Sequence, residues 1–315
     1  MLSDFSFAIS ITAPIFCILG LGVLFKRTGL LTEEFARVGS ELVFNVTLPC
    51  LLFVKLVQTD FRHGLPLTLL GYALAGTVIL FFILDRLLAP RLSAVIDRGV
   101  FVQGAYRSNM GIIGLAFCLS AFGESVVTIA SVYLAIMTTL FNVLAVMTLT
   151  RHQEQSLDSL RLGRVAREIA RNPLILAIGV GVLVSLSGLQ VSEILLKTGG
   201  YFAQMTLPLA LLCAGASIRL REFQTSPALY GAVLGKLIVV PLLLTLGGIA
   251  SGLRGETLAV LYLMSASPTA AASYPMAQSM KANHHLAAAI IAATSLGSLF
   301  STTLGIFLLR TYGLI

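Results

Sequence analysis

Long apolar segments constrain the fold of this 315-residue chain more than any other feature. Each of ten such segments holds about 20 predominantly apolar residues, the length that a helix needs to cross a bilayer. Charged residues make up only 11% of the chain, whereas a soluble domain carries roughly 25%. Because so little polar surface cannot coat a soluble globule, the sequence predicts an all-α integral membrane protein. The predicted spans are 5–25, 35–58, 65–88, 98–121, 125–149, 172–190, 198–218, 226–250, 255–280 and 284–309.

A short motif occurs twice and divides the chain into two halves. Thr47-Leu48-Pro49 returns 159 residues later as Thr206-Leu207-Pro208. Five spans in each half is an odd number, so the second half must insert in the opposite orientation. We therefore expect two inverted five-helix repeats, residues 1–150 and 172–315, as in many secondary transporters. The polar stretch 151–171 joins them as a cytoplasmic linker, and its pattern fits either an amphipathic helix or a solvated loop.

Positive charge lies mainly in the loops between the predicted spans. The formal net charge is +7, and most Lys and Arg residues fall on one side when the spans are threaded alternately through a bilayer. The positive-inside rule then places both termini on the outer side of a plasma membrane such as the bacterial inner membrane. We see no basic surface interleaved with aromatic residues, so we expect no nucleic-acid partner.

Two of the predicted spans carry helix-weakening residues in their middle. The fourth contains Asn109, Gly111 and Gly114, and the ninth contains Pro268 and Pro275. A Gly costs a helix about 1 kcal/mol relative to Ala, and an internal Pro about 3 kcal/mol. Irregular backbone at that depth is tolerated only where it is buried in protein or lines a cavity. Breaks at matching ranks in both halves predict a transporter binding site, and glycine-rich packing helices are the alternative.

Polar residues at these two breaks are the candidates for substrate binding. The amide of Asn109 could donate to a carboxylate, and capping of the half-helix is its alternative role. Of the cations within spans, Arg107 and Lys236 could supply positive charge, Lys236 could instead pair with Glu41, and Lys55 lies near the end of its span. The predicted substrate-binding residues are Asn109, Ser267, Pro268, Thr269, Ser273, Lys236 and Arg107.

A second set of residues is predicted to line the pathway or to break helices. The two Thr-Leu-Pro motifs kink their spans, because a mid-helix Pro leaves a carbonyl one turn earlier unpaired. Polar neighbours of these kinks could face a pathway, and purely structural kinking is the alternative. The predicted pathway and helix-break residues are Asn45, Thr47, Pro49, Gly111, Gly114, Gln204, Thr206, Pro208 and Pro275.

Motifs of enzymes and pumps are not found in the sequence. There is no P-loop, no H-E-x-x-H and no G-x-S-x-G. The four cysteines all lie within apolar segments, and no metal-ligand spacing occurs. We therefore expect neither an enzyme nor a bound metal or cofactor.

The order of several motifs resembles that of the auxin efflux carrier family over nearly the whole chain. The matching residues are Leu48-Pro49, Asn109-x-Gly111-x-x-Gly114, Asn172-Pro173, Leu207-Pro208 followed by Gly215-Ala216-Ser217, Lys236 with Pro241, and Ala266-Ser267-Pro268. The resemblance implies ten helices in two inverted repeats, with the fourth and ninth helices crossing where they break. It implies transport of organic anions, with Asn109 contacting the substrate. Where the family often has Pro after the Gly-x-x-Gly stretch, this chain has Leu115-Ala116.

The sequence therefore predicts a secondary active transporter of a small organic anion, a mono- or dicarboxylate, that works by elevator-type alternating access. Spans one, two, six and seven would form a scaffold. A sodium-coupled symporter of the bile-acid-carrier type and a non-transporting anion sensor are the alternatives. The expected partners are the anion, the lipid bilayer, a coupling proton or sodium ion, and a second copy of the chain in a homodimer.

Overall fold

The computed structural model describes residues 2–58, 66–152, 171, 173–218 and 226–315. Every regular element in this part of the chain is a helix, apart from one isolated β-bridge, so the prediction of an all-α fold is confirmed there. The predicted linker at 151–171 lies almost entirely outside the described residues. The α-helices of the first half are α1 (Leu2–Arg27), α2 (Glu33–Leu42), α3 (Leu48–Val57), α4 (Leu67–Phe82), α5 (Val95–Tyr106), α6 (Leu115–Phe122) and α7 (Val127–Arg151). Those of the second half are α8 (Pro173–Ser187), α9 (Glu193–Ala216), α10 (Pro227–Leu234), α11 (Val240–Ala250), α12 (Gly255–Ala266), α13 (Ser273–Ser279) and α14 (His284–Thr311).

Several of these helices join end to end into membrane-length stretches. Among the described residues, six stretches are long and apolar enough to cross a membrane, and two shorter apolar helices accompany them. The six are Ser3–Arg27, Glu33–Val57, Leu67–Arg91, Met110–Arg151, Pro227–Ala250 and His284–Thr311. The two shorter helices are Pro173–Ser187 and Gly255–Ala266. The count of ten spans and their inverted arrangement stay predictions.

The two Thr-Leu-Pro motifs differ in backbone conformation. Before Pro49, the turn Val43–Thr47 is π-helical and joins α2 to α3. A π-turn accommodates an extra residue within a continuous helix, and such turns often mark functional positions. Pro208 instead lies inside the continuous helix α9. The repeated motif therefore does not produce the same local geometry in both halves.

Helices α1 and α9 approach each other so closely that their backbones touch. A Cβ added to Gly22 would lie 2.3 Å from the carbonyl oxygen of Leu212. A Cβ added to Gly215 would lie 2.1 Å from the carbonyl oxygen of Leu19. Small residues allow this approach, which is how helices gain packing contacts when lipid is as apolar as their side chains.

The helices pack as two groups. In the first group, α3 packs against α8 and α9, and α1 packs against α9. In the second group, α5 packs against α7, α10 and α14, while α11 packs against α12. The groups meet mainly where α1 lies against α14 and α6. The residues of both predicted breaks belong to the second group.

Candidate functional site

Both predicted breaks are present, and their backbones pair with each other. The first lies between the end of α5 at Tyr106 and the π-turn that begins at Met110. The second lies between the end of α12 at Ala266 and the start of α13 at Ser273. Ser108 and Thr269 form the antiparallel bridge that joins them.

Main-chain and hydroxyl hydrogen bonds satisfy the irregular backbone around this bridge. The N–H of Asn109 donates to the carbonyl of Pro268 (2.7 Å), and the N–H of Ala270 donates to the carbonyl of Arg107 (3.0 Å). The Thr269 hydroxyl donates to the carbonyl of Gly104 at 2.7 Å, which lies in the last turn of α5. Because unpaired backbone groups are costly in a membrane interior, these bonds stabilise two interruptions that neither half could hold alone.

The side chain of Asn109 does not cap the half-helix that follows it. It occupies the position just before the π-turn Met110–Gly114, and its side chain makes no capping hydrogen bond. Its own carbonyl starts the turn by accepting from the N–H groups of Ile113 (3.1 Å) and Gly114 (3.0 Å). Among the described residues, the half-buried Asn109 amide has no hydrogen-bond partner. Its donors and its acceptor are therefore available to a ligand.

A cavity of about 320 Å³ lies beside Asn109. Its polar lining comes from Arg107, Ser108, Asn109 and Asn142, together with hydroxyl groups of Ser40, Thr138, Ser217 and Ser295. The rest of the lining is mainly apolar, with Leu48, Ile112, Leu134, Phe141 and Ile291 among its residues. A mostly apolar cavity with a few convergent polar groups is the usual form of a small-molecule site.

Arg107 supplies the positive charge of this cavity. It is 6% exposed, and its guanidinium donates to the Oδ1 of Asn142 at 2.6 Å and to the sulfur of Met276 at 2.9 Å. No carboxylate of a described residue forms an ion pair with it. A buried guanidinium with neutral partners and unused donors is suited to an anionic ligand.

Asn142 is a lining residue that the sequence analysis did not select. It belongs to the Leu140-Phe141-Asn142 segment, whose counterpart at the same offset of 159 residues is Leu299-Phe300-Ser301. Asn142 is a polar residue at the end of this repeated segment, within the apolar helix α7. That position was the sequence signal that could have identified it. Its amide oxygen fixes the direction of the Arg107 guanidinium.

Lys236 lies behind the cavity rather than in its lining. Its side chain is fully buried, and its Nζ donates to the Oγ of Ser108 and, at 2.8 Å, to the carbonyl oxygen of Ser265. The suggested pairing with Glu41 is wrong, because Glu41 instead accepts from Arg37 at 2.7 Å. Lys236 therefore contacts the two interruptions and not the open space beside them.

The predicted polar residues of the second break are also buried in protein. Ser267 donates to the carbonyl of Met264 at 2.9 Å, and the Ser273 hydroxyl has no hydrogen-bond partner among the described residues. Pro268 and Thr269 are held in the paired backbone described above. The cavity is lined instead by the alanines at 270–272 that follow them.

The predicted pathway residues divide between three locations. Gly111 lines the cavity, whereas Gly114 packs against Met264, whose sulfur would lie 2.9 Å from an added Cβ. Thr47 and Thr206 are buried, and Pro49 is half-buried. Asn45, Gln204 and Pro208 are exposed, and the Asn45 amide donates to the carbonyl of Glu41 at 2.9 Å. None of these last six residues is among the cavity-lining residues.

A second, wider cavity of about 680 Å³ adjoins the first. The two share Ser40, Ser217, Ile218, Ala271 and Ile291. Charged residues line the wider cavity, which also contains Pro275, and we call it the vestibule. Its charged lining residues are Lys26, Glu33, Glu34, Arg37 and Glu41. The vestibule thus connects the site at Asn109 with the polar ends of α1 and α2.

Comparison with known proteins identifies the class of this protein. A family model described as "Membrane transport protein" matches residues 7–306, which is nearly the whole chain. The chain belongs to this family of membrane transport proteins. It is therefore a transporter in a membrane and not an enzyme.

Two relatives agree with this family assignment. A protein of Rhizobium meliloti (strain 1021) named "Putative malonate transporter" is 30% identical over 215 residues, which is 66% of each chain and slightly less than two thirds. A protein of Escherichia coli (strain K12) named "Uncharacterized transporter YfdV" is 23% identical over 313 residues, covering 97% of this chain and 98% of that one. Both names describe transporters.

Proposed function

We propose that this transporter is a secondary active carrier of a small organic anion, a mono- or dicarboxylate. The observation that supports this most directly is the pair of Asn109 and Arg107 at one edge of the cavity of about 320 Å³. The amide has unused donors, and the guanidinium has no carboxylate partner among the described residues. A carboxylate placed there would accept charge-assisted hydrogen bonds, which are the stronger kind. The name of the Rhizobium relative, "Putative malonate transporter", is consistent with an organic acid.

We further propose that the chain spans the membrane ten times as two inverted repeats. The stretches Glu33–Val57 and Pro227–Ala250 each fit one span, while the 42-residue stretch Met110–Arg151 fits the second half of the broken fourth span followed by the whole fifth span. Helices α6 and α7 within this long stretch pack against each other. The shorter apolar helices would complete spans together with their neighbouring segments. Pairing between the breaks of the two halves supports the inverted arrangement.

Alternating access in this proposal uses the two packing groups. The first group, built on α1, α3, α8 and α9, would be the scaffold, and the second group would carry Asn109 and Arg107 across the membrane. Both interruptions belong to the second group and are hydrogen-bonded to each other, so they would move as one body. Lys26 and Arg37 line the vestibule. Lys26 lies next to a loop that is predicted on the inner side of the membrane. The described conformation therefore fits an inward-facing state. In this proposal both termini lie on the outer side of the inner membrane.

The decisive experiment is uptake of radiolabelled acids into proteoliposomes that contain the purified protein. The panel should include short dicarboxylates such as malonate and apolar monocarboxylates, with and without imposed proton or sodium gradients. Saturable uptake of one acid, absent from protein-free liposomes, is the expected result. Binding of an acid without any uptake would instead make this protein a sensor, and the carrier proposal would be wrong.

A further inference from the structure

Lys236 contacts both of the paired interruptions, and we call its contacts with Ser108 and Ser265 the junction. It lies in the π-turn Gly235–Val239 between α10 and α11, and its side chain is fully buried. Its ammonium donates to the hydroxyl of Ser108 in the first interruption and to the carbonyl of Ser265 just before the second. The Ser108 hydroxyl also donates to the Ser265 carbonyl, at 3.2 Å. One charged group thus joins the stretch Pro227–Ala250 to both broken segments.

The Ser265 carbonyl lies at the C-terminal end of a half-helix and is buried. It lies in the last turn of α12, where carbonyl groups lack partners within the helix and carry the negative end of the helix dipole. In transporters with broken helices, such half-helix ends coordinate the coupling sodium ion or proton. In this protein the Lys236 ammonium occupies that position.

Protein donors also satisfy neighbouring carbonyls of both half-helices. The carbonyl of Ala266 accepts from the hydroxyl of Thr302 at 3.4 Å, and that of Gly104 in α5 accepts from the hydroxyl of Thr269 at 2.7 Å. Two buried oxygens near the second break, Gln103 Oε1 and Ser273 Oγ, have no hydrogen-bond partner among the described residues. These two oxygens mark the place to look for a sodium ion if one were required.

We propose that Lys236 is a positioning residue whose Nζ already occupies the half-helix end at the paired interruptions, so that anion transport needs no sodium ion. This inference rests on the proposed carrier function. Lys236 does not line the cavity of about 320 Å³, whereas Ser108, its hydrogen-bond partner, does. The ammonium therefore acts on the substrate only through the geometry of the breaks that carry Asn109 and Arg107.

The first test compares wild-type uptake in sodium chloride with uptake in choline chloride, using the acid that gives saturable transport. The expected result is the same rate in both salts. Uptake that occurs only in sodium chloride would overturn the inference. If uptake by Gln103→Leu then no longer depended on sodium, the sodium ion would be assigned to Gln103 and Ser273. Because this test uses the natural protein, it does not depend on whether a variant folds. Absence of uptake of any acid would be a failure of the proposed function instead.

The second test separates positioning from direct substrate contact. Lys236→Met removes the ammonium while keeping an unbranched side chain, and Lys197→Met, at an exposed position of α9, is the matched control. We expect the maximal rate of Lys236→Met to fall by about tenfold or more, because charge-assisted hydrogen bonds at the junction are lost. Substrate affinity, measured by scintillation proximity binding in detergent, should stay within about threefold of wild type, as for a group outside the binding surface.

Two results of this second test would overturn the inference. One is a tenfold loss of affinity with an unchanged maximal rate, which would make Lys236 a substrate ligand. The other is a folded Lys236→Met protein with wild-type affinity and rate, which would make it a packing residue. If Lys236→Met does not fold, Ser108→Ala removes the side-chain acceptor of the ammonium and should lower the maximal rate in the same direction. An unchanged rate in Ser108→Ala would then count against the junction.

Discussion

The backbone N–H of Asn109 donates a 2.7 Å hydrogen bond to the carbonyl oxygen of Pro268. These residues are 159 positions apart, which is the offset that relates the two Thr-Leu-Pro motifs. In a molecule with two-fold pseudosymmetry, equivalent residues touch only where they lie next to the axis. The bond therefore supports the proposed inverted repeats and places Asn109 near their centre, beside the cavity.

Replacing Asn109 by Ala should abolish or strongly reduce anion transport without impairing expression. The amide has no partner among the described residues and makes no capping bond, so the protein loses little when it is removed. A substrate carboxylate would lose a charge-assisted hydrogen bond, a loss of about 1.5–3 kcal/mol or roughly tenfold to hundredfold in affinity. Proteoliposome uptake measures this effect, with Gln190→Ala at an exposed position as the matched amide deletion. Wild-type transport by a well-expressed Asn109→Ala protein would exclude Asn109 from the site.

Arg107→Met should lose anion binding while the ligand-free protein becomes no less stable. The guanidinium is buried without a carboxylate partner among the described residues, and burying an unpaired charge costs several kcal/mol. Removing that charge offsets the loss of the hydrogen bonds to Asn142 and Met276. The measurements are anion binding and thermal unfolding in detergent, with Arg91→Met at an exposed position as the control. A fall of many degrees in the unfolding temperature of Arg107→Met would instead identify a structural role.

The breaks could be predicted from the sequence because Gly and Pro act locally on the helix. Pro268 and the Asn109-to-Gly114 stretch weaken any helix that contains them, whatever surrounds it. That the two breaks pair with each other follows only from how the halves pack. The repeat offset relates Asn109 to Pro268 in sequence, but the crossing of the two breaks was expected only from the family resemblance.

The direction in which each side chain faces could not be predicted in the same way. In a membrane protein both the lipid-facing and the protein-facing sides of a helix are apolar, so hydrophobic periodicity does not identify the buried side. Gln204 was selected for its polarity and is exposed, whereas Asn142 was not selected and lines the cavity. Lys236 was expected to contact substrate, but its ammonium contacts Ser108 and Ser265 behind the cavity wall.

Adding one methyl group at Gly22 should destabilise the protein, although the same change two residues away should not. The new Cβ of Gly22→Ala would lie 2.3 Å from the carbonyl oxygen of Leu212, which is backbone and cannot move aside cheaply. Overpacking of this kind costs about 1–3 kcal/mol or more. Gly20→Ala has no atom within 4 Å of its new Cβ and gains about 1 kcal/mol of helix propensity. Thermal unfolding in detergent should show a lower temperature for Gly22→Ala only, and equal temperatures for the two variants would contradict the close approach of α1 and α9.

Asp85→Ala should lower stability because Asp85, in the π-turn Ile83–Leu88 that follows α4, holds this turn to the end of α7. Its carboxylate is almost fully buried and accepts from the Thr148 hydroxyl (2.7 Å) and the Arg151 guanidinium (2.8 Å), while the Nε2 of His152 lies 3.0 Å away. Breaking a buried pair costs about 3–5 kcal/mol, and since Arg151 is partly exposed we expect roughly 2–3 kcal/mol. Glu193→Ala, an exposed acidic residue in the first turn of α9, should lose less than about 1 kcal/mol. The two unfolding temperatures provide the comparison, and an equal small decrease in both would show that Asp85 does not hold this turn to the end of α7.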